Sequence, residues 1–431
     1  MSGYENYTLS PVPWIKQMPE HWGLVRGKNL YQKMQRPTSD TDEVVTCFRD
    51  GTVTLRKNRR TTGFTESLKE IGYQGIKKGD LVIHVMDAFA GSIGVSDSDG
   101  KGTPVYSVCQ AKGNSNNQYY ALLLREMARS GYIQSLYRGI RERSSDFRFE
   151  VFAAQFYPVP PRSEQDQIVR FLDWKVSSIN KLINIKQEQL SEVKELLDRL
   201  FRNITSKCSK KVKIKYLFEL ENDFFIPDAS ESYAKAGMYN RGRGIFLREP
   251  CLGNELGDSQ FQHIHSDCLM LSGQFAWEDA VYITQEKDTH GIASHRYYLL
   301  KPVRYVPVEY LWAYFLSCEG FFNLQQCSHG SAGRNRPLNI KEVLNLELPV
   351  PDDKEKANAL NKLARDYMRL QVITEEEKKA LLDFRIHLIA DTVTGKIDVC
   401  SIEIPKYEFV DEDADADNED DSEEKTDEQE D

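Results

Sequence analysis

Long apolar runs, paired cysteines and nucleotide-binding loops are all missing from this sequence of 431 residues. No run approaches the ~18 apolar residues of a membrane-spanning helix, and the first residues, MSGYENYTLS, do not look like a signal peptide. The eight cysteines are scattered without a Cys-x-x-Cys pair, which predicts reduced thiols in a cytoplasmic protein. No Gly-x-x-x-x-Gly-Lys-Ser/Thr loop occurs, which excludes a P-loop motor.

An overall excess of basic charge is missing as well, because the net charge is -10. The acidic residues are concentrated at the end of the chain, where residues 411–431 contain fourteen Asp and Glu against one Lys. We expect residues 400–431 to form a disordered acidic tail. Residues 1–410 then carry a net charge of +3, which permits an anionic partner without demonstrating one.

Glycine and proline are absent from the stretch Ser163–Thr205, which follows the proline-rich stop Tyr157-Pro-Val-Pro-Pro161. Ser163 is predicted as the N-cap of a long helix, with Glu164 in its first turn. Apolar residues recur there in steps of three and four, as in the heptads of a coiled coil. At ~1.5 Å per residue this stripe is about 50 Å long, and a stripe so narrow needs a partner helix.

A second mixed region copies the first, with Gly79–Ile83 corresponding to Ser266–Met270 and Phe156–Pro161 to Glu347–Pro351. A second long helix is predicted to begin near Asp353, again just after a proline. Adding 191 to the positions of the first apolar stripe gives those of the second. The chain is therefore predicted to be a tandem duplication of one globular unit and one long helix.

These patterns predict an α+β fold in which two mixed α/β domains form a tandem pseudo-twofold repeat, joined by two long helices that pair as an antiparallel coiled coil. Each mixed domain combines short strands, such as 80–85 and 105–108, with a helix, which lies near 118–137 in the first domain. Two independent helical hairpins, each packed on its own domain, remain the alternative. The predicted divisions are an N-terminal arm at 1–22, a mixed domain at 23–161, a helix at 162–206, a mixed domain at 207–351, a helix with its closing segment at 352–399 and the tail at 400–431.

The predicted seam of the coiled coil includes one polar position on each helix, Lys186 and Glu377, which the 191-residue offset makes equivalent. Opposite charges there are predicted to lie near each other and to set the register. In the alternative, both side chains extend from the edge of the seam into solvent. The seam residues are Leu172, Val176, Ile179, Ile183, Lys186, Leu190, Val193 and Leu197 on the first helix and Leu363, Tyr367, Leu370, Glu377, Leu381, Phe384 and Leu388 on the second.

Several short motifs, in this order, resemble the specificity (S) subunits of type I restriction-modification systems, the HsdS family. They are Pro13-Trp14, Pro19-Glu-His-Trp22, Pro160-Pro-Arg-Ser-Glu-Gln165 with Ile168 and Phe171-Leu-Asp173, and Ala390-Asp-Thr-Val-Thr-Gly-Lys-Ile-Asp-Val399. The resemblance covers residues 11–399. The start of the second helix, Asp352-Asp-Lys-Glu-Lys356, departs from the family because it has no Glu-Gln pair.

The resemblance implies a sequence-specific DNA-binding protein without a catalytic site of its own. Each mixed domain would be a target-recognition domain for one half of a bipartite, gapped target in double-stranded DNA, and the paired helices would set the gap. Two modification subunits would methylate adenine with S-adenosylmethionine, and restriction subunits would cleave DNA with ATP and magnesium. No cofactor is expected in this chain. The alternative from another class is a coiled-coil adaptor that joins proteins without DNA specificity.

Basic loops are the candidates for DNA contact, because clustered Arg beside Ser and Asn suits both phosphate and guanine. Glycine in such a loop lets the backbone approach a phosphate closely. Ordinary solvated loops are the alternative for each cluster. The candidates are Arg56, Lys57, Arg59, Arg60, Arg138, Arg141 and Arg143 in the first domain and Arg241, Arg243, His329, Arg334, Asn335 and Arg336 in the second.

Two further patterns resemble functional sites, a methyltransferase cofactor loop and a metal site, but each is incomplete. Residues 87–94, DAFAGSIG, are similar to a methyltransferase cofactor loop, but no Asn/Asp-Pro-Pro-Tyr/Phe motif follows to hold a flipped adenine, and a β-turn between strands is predicted instead. His263, His265 and Cys268 have metal-binding side chains, but a fourth ligand is not apparent. We therefore predict a structural role for them, with no metal site and no catalytic residues.

Overall fold

The structure, a computed structural model, describes residues 3–59, 71–136, 146–208, 210–240, 242–257, 259–330, 336–351 and 354–411. Within these ranges no helix is both long enough and apolar enough to cross a membrane. The chain forms two compact units, the first from residues 1–181 with 381–431 and the second from residues 182–380. Each of the two long helices contributes one part to each unit.

The first unit consists mostly of short strands. In chain order these are β1 Tyr7–Leu9, β2 Gln17–Pro19, β3 Gly23–Arg26, β4 Tyr31–Lys33, β5 Val45–Cys47, β6 Val53–Leu55, β7 Gln74–Ile76, β8 Leu81–His84, β9 Ile93–Val95, β10 Gly100–Gly102, β11 Tyr106–Ala111 and β12 Phe156–Val159. Its helices are α1 Gly27–Leu30, α2 Asn117–Arg129, α3 Tyr132–Ser135, α4 Phe149–Ala154 and the first part of α5, which spans Arg162–Thr205.

A four-stranded antiparallel sheet in the order β4-β11-β8-β9 lies at the centre of this unit. Its central strand β8 reads Leu81-Val-Ile-His84 and buries the three aliphatic side chains, as expected for a strand covered on both faces. Helix α2 packs against β8 and β9. The valines Val45, Val53, Val82 and Val108 bring the hairpin β5-β6 into the same core.

The second unit begins with the rest of α5 and ends within the last helix. Its strands are β13 Lys210–Lys213, β14 Phe218–Leu220, β15 Phe224–Phe225, β16 Ser232–Tyr239, β17 Gly244–Leu247, β18 Cys251–Leu252, β19 Phe261–His263, β20 Leu269–Ser272, β21 Val281–Ile283, β22 Gly291–Ser294, β23 Tyr297–Pro302 and β24 Glu347–Val350. Its helices are α6 Val308–Leu316, α7 Cys318–Gln326, α8 Ile340–Asn345 and α9, which spans Lys354–Val393 and continues into the first unit.

The second unit repeats the topology of the first. Its central sheet has the order β14-β23-β20-β21, with antiparallel pairs at the same places as β4-β11-β8-β9. The strand that precedes each long helix pairs antiparallel with the first strand of its repeat: β12 pairs with β3, and β24 pairs with β13. The predicted tandem duplication is therefore confirmed.

The two units differ most in the strands outside the central sheet, which lie on both sides of the central strand in sequence. In the first unit these strands form the hairpin β5-β6 and the pair β7-β10. In the second unit they form a larger sheet in the order β15-β19-β22-β16-β17, in which β16 and β22 run parallel. The hairpin β16-β17 corresponds to β5-β6, so that a hairpin turn occurs at the same point of both repeats.

Helix α5 starts two residues earlier than an N-cap at Ser163 predicts. Its first residue is Arg162, and the carbonyl of Pro161 accepts hydrogen bonds from the N–H groups of Glu164 and Gln165. The prediction of Ser163 as the N-cap is therefore wrong, because the chain already turns at the proline and Ser163 lies inside the first turn.

The predicted helix near 118–137 is divided in two. Helix α2 is capped at its start by Asn116, whose side chain accepts from the N–H groups of Gln118 and Tyr119. It ends at Arg129, and Gly131, two residues later, has φ +76° and lies in the left-handed region. A short second helix, α3, follows. The apolar spacing continues across this break, which is why the sequence pattern does not show it.

The two long helices pack together in an antiparallel pair. In the first unit, Arg385 of α9 donates to Asn180 of α5, with 3.2 Å between Nη1 and Oδ1. In the second unit, Lys186 Nζ lies 2.6 Å from Glu377 Oε2. The later position on α5 contacts the earlier position on α9, so the helices run in opposite directions. The predicted α+β fold with an antiparallel helix pair is confirmed.

The seam on α9 differs from the predicted one. Gln371 and Thr374 are buried polar residues on its inner face, whereas Phe384 is 52% exposed. Leu388 is buried, as a seam position should be. The predicted positions follow the apolar residues, but Gln371 is buried because its side chain has a hydrogen-bonding partner inside the second unit. With Gln371 and Thr374 on the inner face of α9, Phe384 lies on the side of the helix that faces solvent.

The other seam positions vary in burial. Leu172, Ile179, Ile183, Leu197 and Tyr367 are buried. A second group is half-buried, and it consists of Val176, Leu190, Val193, Leu363, Leu370 and Leu381.

A C-terminal segment, residues 399–411, lies along α5 in the first unit. Gln167 Nε2 donates to the carbonyls of Val399 and Ile402, at 3.1 and 2.7 Å. Further along the helix, Ser177 Oγ donates to the carbonyl of Glu408 at 3.0 Å and accepts from the N–H of Val410 at 2.8 Å. Side chains of α5 thus satisfy the backbone of a segment that has no regular secondary structure of its own.

Candidate nucleic-acid interface

The first hairpin turn, residues 48–52, joins β5 to β6. Gly51 has φ +87° at its tip, where a side chain would be strained. Asp50 accepts from the N–H of Thr52 at 2.9 Å and forms an ion pair with Arg59. Burial opposes ionisation of Asp50, but the Thr52 N–H and the Arg59 guanidinium outweigh it and hold the pKa of Asp50 below its ordinary value. The turn and Arg59 therefore form one rigid piece.

The predicted basic cluster after β6 is largely paired. Arg59 also lies over the ring of Phe48, at 4.8 Å from its centroid. Lys57 Nζ is 2.6 Å from Glu43, and Arg56 Nε donates to Thr46 Oγ1 at 3.4 Å. Lys57 remains mostly exposed, whereas Arg59 is held against the turn.

A 3-10 turn between β8 and β9, Ala88–Ala90, lies beside the first hairpin turn. Arg49 Nη2 is 3.6 Å from Asp87 Oδ1, and a side chain at Gly91 would come within 2.9 Å of the Arg49 carbonyl. The prediction of a tight turn in the segment DAFAGSIG is confirmed. Burial lowers the pKa of the neighbouring His84, against the charge of Asp87, which favours a neutral imidazole at pH 7.

Phe147, which follows the loop after α3 in sequence, is bound at the end of the central strand. The N–H of Phe147 donates to the carbonyl of Val85 at 3.1 Å, at the end of β8. The corresponding contact in the second unit joins the N–H of Leu338 to the carbonyl of Gly273 at 2.8 Å. Phe147 and Leu338 are therefore bound at the same place in both repeats, the end of the central strand. We call residues 146–148 of the first unit, and residues 328–330 with 336–338 of the second, the first and second closing loops.

The second hairpin turn, residues 240–244, joins β16 to β17 and rests on the 3-10 turn Ala276–Glu278. The N–H of Gly242 donates to the carbonyl of Asp279 at 2.8 Å, and the Asn240 side chain donates to Glu278. Arg243 Nε donates to the Asn240 carbonyl at 3.1 Å, and its guanidinium lies over Tyr239 at 5.0 Å. This turn is thus held on two sides.

The second closing loop reaches the same 3-10 turn. The guanidinium of Arg336 lies 4.8 Å from the ring centroid of Trp277. His329 Nε2 is 2.9 Å from Glu342 Oε2. The backbone N–H of His329 donates to the carbonyl of Pro337 at 3.2 Å. Contacts at consecutive residues, Trp277 to Asp279, therefore gather the closing loop and the hairpin turn into one surface.

Each unit thus assembles a hairpin turn with a 3-10 turn, and in the second unit the described residues of the closing loop join this assembly. The structure brings Arg56, Lys57 and Arg59 to the assembly of the first unit and Arg243, His329 and Arg336 to that of the second. The sequence alone did not single out Arg49, Asn240 and Trp277. A lone Arg-Asp-Gly turn between two short β-type runs is the signal that could have identified Arg49.

Seven of the predicted contact residues cannot be located in this way. Arg60, Arg138, Arg141, Arg143, Arg241, Arg334 and Asn335 lie outside the residues that the structure describes.

The histidines that the sequence raised as metal ligands lie near a carboxylate instead of a cysteine. Asp223 Oδ2 is 3.4 Å from His263 Nδ1 and 3.3 Å from His265 Nε2. Glu221 is close to Asp223 and His265, but its carboxylate also contacts Lys301 Nζ at 3.3 Å. These distances fit ordinary polar contacts of histidine with aspartate, and Lys301 at the Glu221 carboxylate works against a cation.

Comparison by sequence gives no relatives, because no model of a known protein family and no curated protein matches the chain. Comparison by structure finds chains with a similar fold. A chain from a structure that describes complex assembly and conformational transition of the type I R-M system matches with a TM-score of 0.55 at 11% identity, over 88% of this chain and 99% of that chain.

Two further structures match with a TM-score of 0.44 each. The HsdS subunit from Thermoanaerobacter tengcongensis is 11% identical, over 88% of this chain and 98% of its own length. The type I restriction-modification S subunit from M. genitalium is 12% identical, over 92% of this chain and 100% of its own length. At these identities the likeness bears on the fold. The fold is similar to that of a chain from a type I R-M system, which agrees with the resemblance of the motifs.

Proposed function

We propose that this chain is a sequence-specific DNA-binding subunit that recognises a two-part, gapped target in double-stranded DNA. The observation that carries the proposal is the repetition of one loop assembly. In each unit a hairpin turn meets a 3-10 turn, Phe147 or Leu338 is bound at the end of the neighbouring central strand, and basic side chains belong to both assemblies. Two such surfaces in one chain suit two short DNA sequences better than one continuous sequence.

The side chains of these assemblies have the chemistry that DNA contact needs. Arg49 is 63% exposed on the first hairpin turn, so its guanidinium can bind a phosphate or the edge of a guanine. Arg336 and Arg243 are stacked on aromatic rings, which fixes the orientation of their planar groups before any ligand arrives. Asn240 adds an amide of the kind that pairs with adenine.

The helix pair would act as the spacer between the two surfaces. A seam of about 50 Å corresponds to roughly 14 base pairs along B-DNA. The outward faces of α5 and α9 are the surfaces on which two modification subunits would dock, and restriction subunits would join that complex. The two long helices are rigid elements, as a spacer requires, because proline and glycine are absent from their interiors.

Catalysis would belong to those partners. The turn at residues 87–91 joins two neighbouring antiparallel strands, β8 and β9, whereas nucleotide-like cofactors are held where a parallel strand leads into a helix. We therefore assign adenine methylation with S-adenosylmethionine, and ATP- and magnesium-dependent cleavage, to the modification and restriction subunits. The role of this chain would be limited to selecting the target sequence.

Filter binding at moderate salt tests the proposal. The full chain, with and without a modification subunit, would be mixed with a pool of random duplex DNA, and the retained DNA would be sequenced. We expect enrichment of a motif with two specified parts and a constant unspecified gap. Retention of protein partners without any enriched DNA sequence would favour the coiled-coil adaptor and contradict the proposal.

A further inference from the structure

Asp279 is a buried, charged residue with an unusual backbone conformation. Its φ is +65°, and among the described residues only Asp267 shares a positive φ with a side chain attached. Its side chain is 8% exposed. Burial raises the pKa of this carboxyl, against the opposing charge of Lys194. Since left-handed backbone and a buried charge both disfavour folding, Asp279 is kept at this position against two costs.

The internal repeat provides a comparison for this residue. The equivalent position in the first unit is Gly91, which follows the corresponding 3-10 turn and has φ +90°. Glycine adopts this backbone without strain. A glycine would therefore serve at position 279 if the backbone turn were the only requirement.

The Asp279 carboxylate is bound by a side chain from α5. Lys194 Nζ lies 2.6 Å from Asp279 Oδ2. The backbone carbonyl of Asp279 in turn accepts the N–H of Gly242 at 2.8 Å, at the tip of the second hairpin turn. Lys194, Asp279 and Gly242 thus form a continuous chain of contacts from the helix to the hairpin turn.

The other long helix holds the same glycine. Gln371 Nε2 of α9 donates to the carbonyl of Gly242 at 2.8 Å. Gly242 has φ +68°, and a side chain on it would come within 3.3 Å of Gln371 Nε2. Gln371 is buried, so water does not compete for this hydrogen bond. Both long helices therefore fix the position of one residue in the hairpin turn.

The equivalent helix positions in the first unit have other partners. The 191-residue offset relates Gln371 to Asn180 and Lys194 to Arg385. There, Arg385 donates to Asn180 at 3.2 Å, and Asn180 Nδ2 donates to the carbonyl of Val410 at 3.2 Å. The same two positions thus hold the C-terminal segment in one unit and the hairpin turn in the other. This is a difference between two otherwise equivalent repeats.

We propose that Lys194, Asp279 and Gln371 are positioning residues that fix the second hairpin turn for DNA recognition and couple it to the helix pair. This inference rests on the proposed function. A change in the packing of α5 against α9 in the second unit moves Lys194 and Gln371, and the hairpin turn moves with them. Proteins that dock on these helices therefore alter recognition of one part of the target more than the other.

The test compares variants of the full chain in selection from random duplex DNA. Asp279→Gly retains the backbone that Gly91 shows in the first unit and removes only the carboxylate. We expect the wild type to enrich a two-part motif. In Asp279→Gly, base preference falls about tenfold in one part and is kept in the other, while the unfolding temperature is unchanged or raised.

Four further variants separate positioning from stability. Gln371→Ala and Lys194→Met are expected to weaken the same part of the motif as Asp279→Gly, and Lys194→Arg, which keeps the charge, is expected to retain it. Asn180→Ala, at the position equivalent to Gln371, should leave that part unchanged. An unaltered motif in all of the variants overturns the inference, and so does equal loss of both parts together with a lower unfolding temperature. A wild type that enriches no motif overturns the proposed function, and the inference with it.

Discussion

At the scale of single residues, one carboxylate anchors the N-terminal arm. Glu164, in the first turn of α5, is 5% exposed and accepts from Tyr4 Oη at 2.5 Å, His21 Nε2 at 2.8 Å and Trp22 Nε1 at 2.8 Å. The neighbouring Gln165 accepts from the N–H of Asn116, which caps α2. The Glu-Gln pair thus ties the arm and the mixed domain to the start of the helix.

Removal of the Glu164 carboxylate should unfold the first unit more easily. Glu164→Ala leaves three donors unpaired, and the loss should be about 2–4 kcal/mol in the free energy of unfolding. Urea denaturation followed by circular dichroism measures it. Glu188→Ala, an exposed glutamate of the same helix, is the matched control and should change stability by less than about 0.5 kcal/mol. Equal effects of the two variants would contradict the role of Glu164.

Arg49 is the residue of the first hairpin turn that we expect to contact DNA phosphate. Arg49→Ala should weaken DNA binding roughly fivefold and lower the salt dependence, the slope of log K against log salt, by about 0.9. Fluorescence anisotropy with a duplex, measured across a salt series, gives both values. Arg199→Ala, which removes an exposed arginine from α5, serves as control. A slope that stays the same in Arg49→Ala would rule out a phosphate contact.

At the scale of elements, the register of the helix pair depends on few apolar contacts at its middle. Lys186 and Glu377 meet at 2.6 Å with side chains 27% and 46% exposed, and Gln371 and Thr374 replace apolar residues on the inner face of α9. The Lys186–Glu377 contact agrees with pairing across the helices, while its role in setting the register stays a prediction. Its exposure limits its strength.

Charge reversal tests that role. Lys186→Glu should lower the free energy of unfolding by up to about 1 kcal/mol, because it places two acidic side chains together, and the added change Glu377→Lys should restore most of the loss. A double-mutant cycle from chemical denaturation gives the coupling between the two positions. If the loss of unfolding free energy in the double variant equals the sum of the losses in the two single variants, the pair does not set the register.

Phe384 and Leu388, near the end of α9, distinguish the predicted seam from the observed one, because both are predicted seam positions and only Leu388 is buried. Leu388→Ala should cost about 2–4 kcal/mol, because Leu388 is 3% exposed. Phe384→Ala should cost less than about 1 kcal/mol, although phenylalanine is the larger residue, because its side chain is half in solvent. Thermal unfolding of the two variants distinguishes these cases. A larger loss for Phe384→Ala would restore the seam that the heptad pattern predicts.

Local patterns explain how much of the elements could be predicted. The long helices and the buried strand Leu81–His84 follow from apolar spacing within a few residues. The burial of Gln371 does not, because it depends on the carbonyl of Gly242, which is 129 residues away. The end of α2 at Arg129 could not be identified either, since the apolar pattern continues past it.

At the scale of the whole chain, the duplication was the most predictable feature. The 191-residue offset anticipated the repeated central sheets and the antiparallel helix pair. The functional surfaces were only partly predictable. Basic loops stand out by composition, but Arg49 and Trp277 join the surfaces through contacts that composition does not reveal.

Methylome sequencing of a host that carries this chain with a modification subunit tests the central claim most directly. We predict modified adenines in a motif with two specified parts and a constant gap, and we predict that they disappear when this chain is deleted. Modified adenines in a single continuous motif, or the same modified sites with and without this chain, would contradict the claim that the chain selects the target through two surfaces.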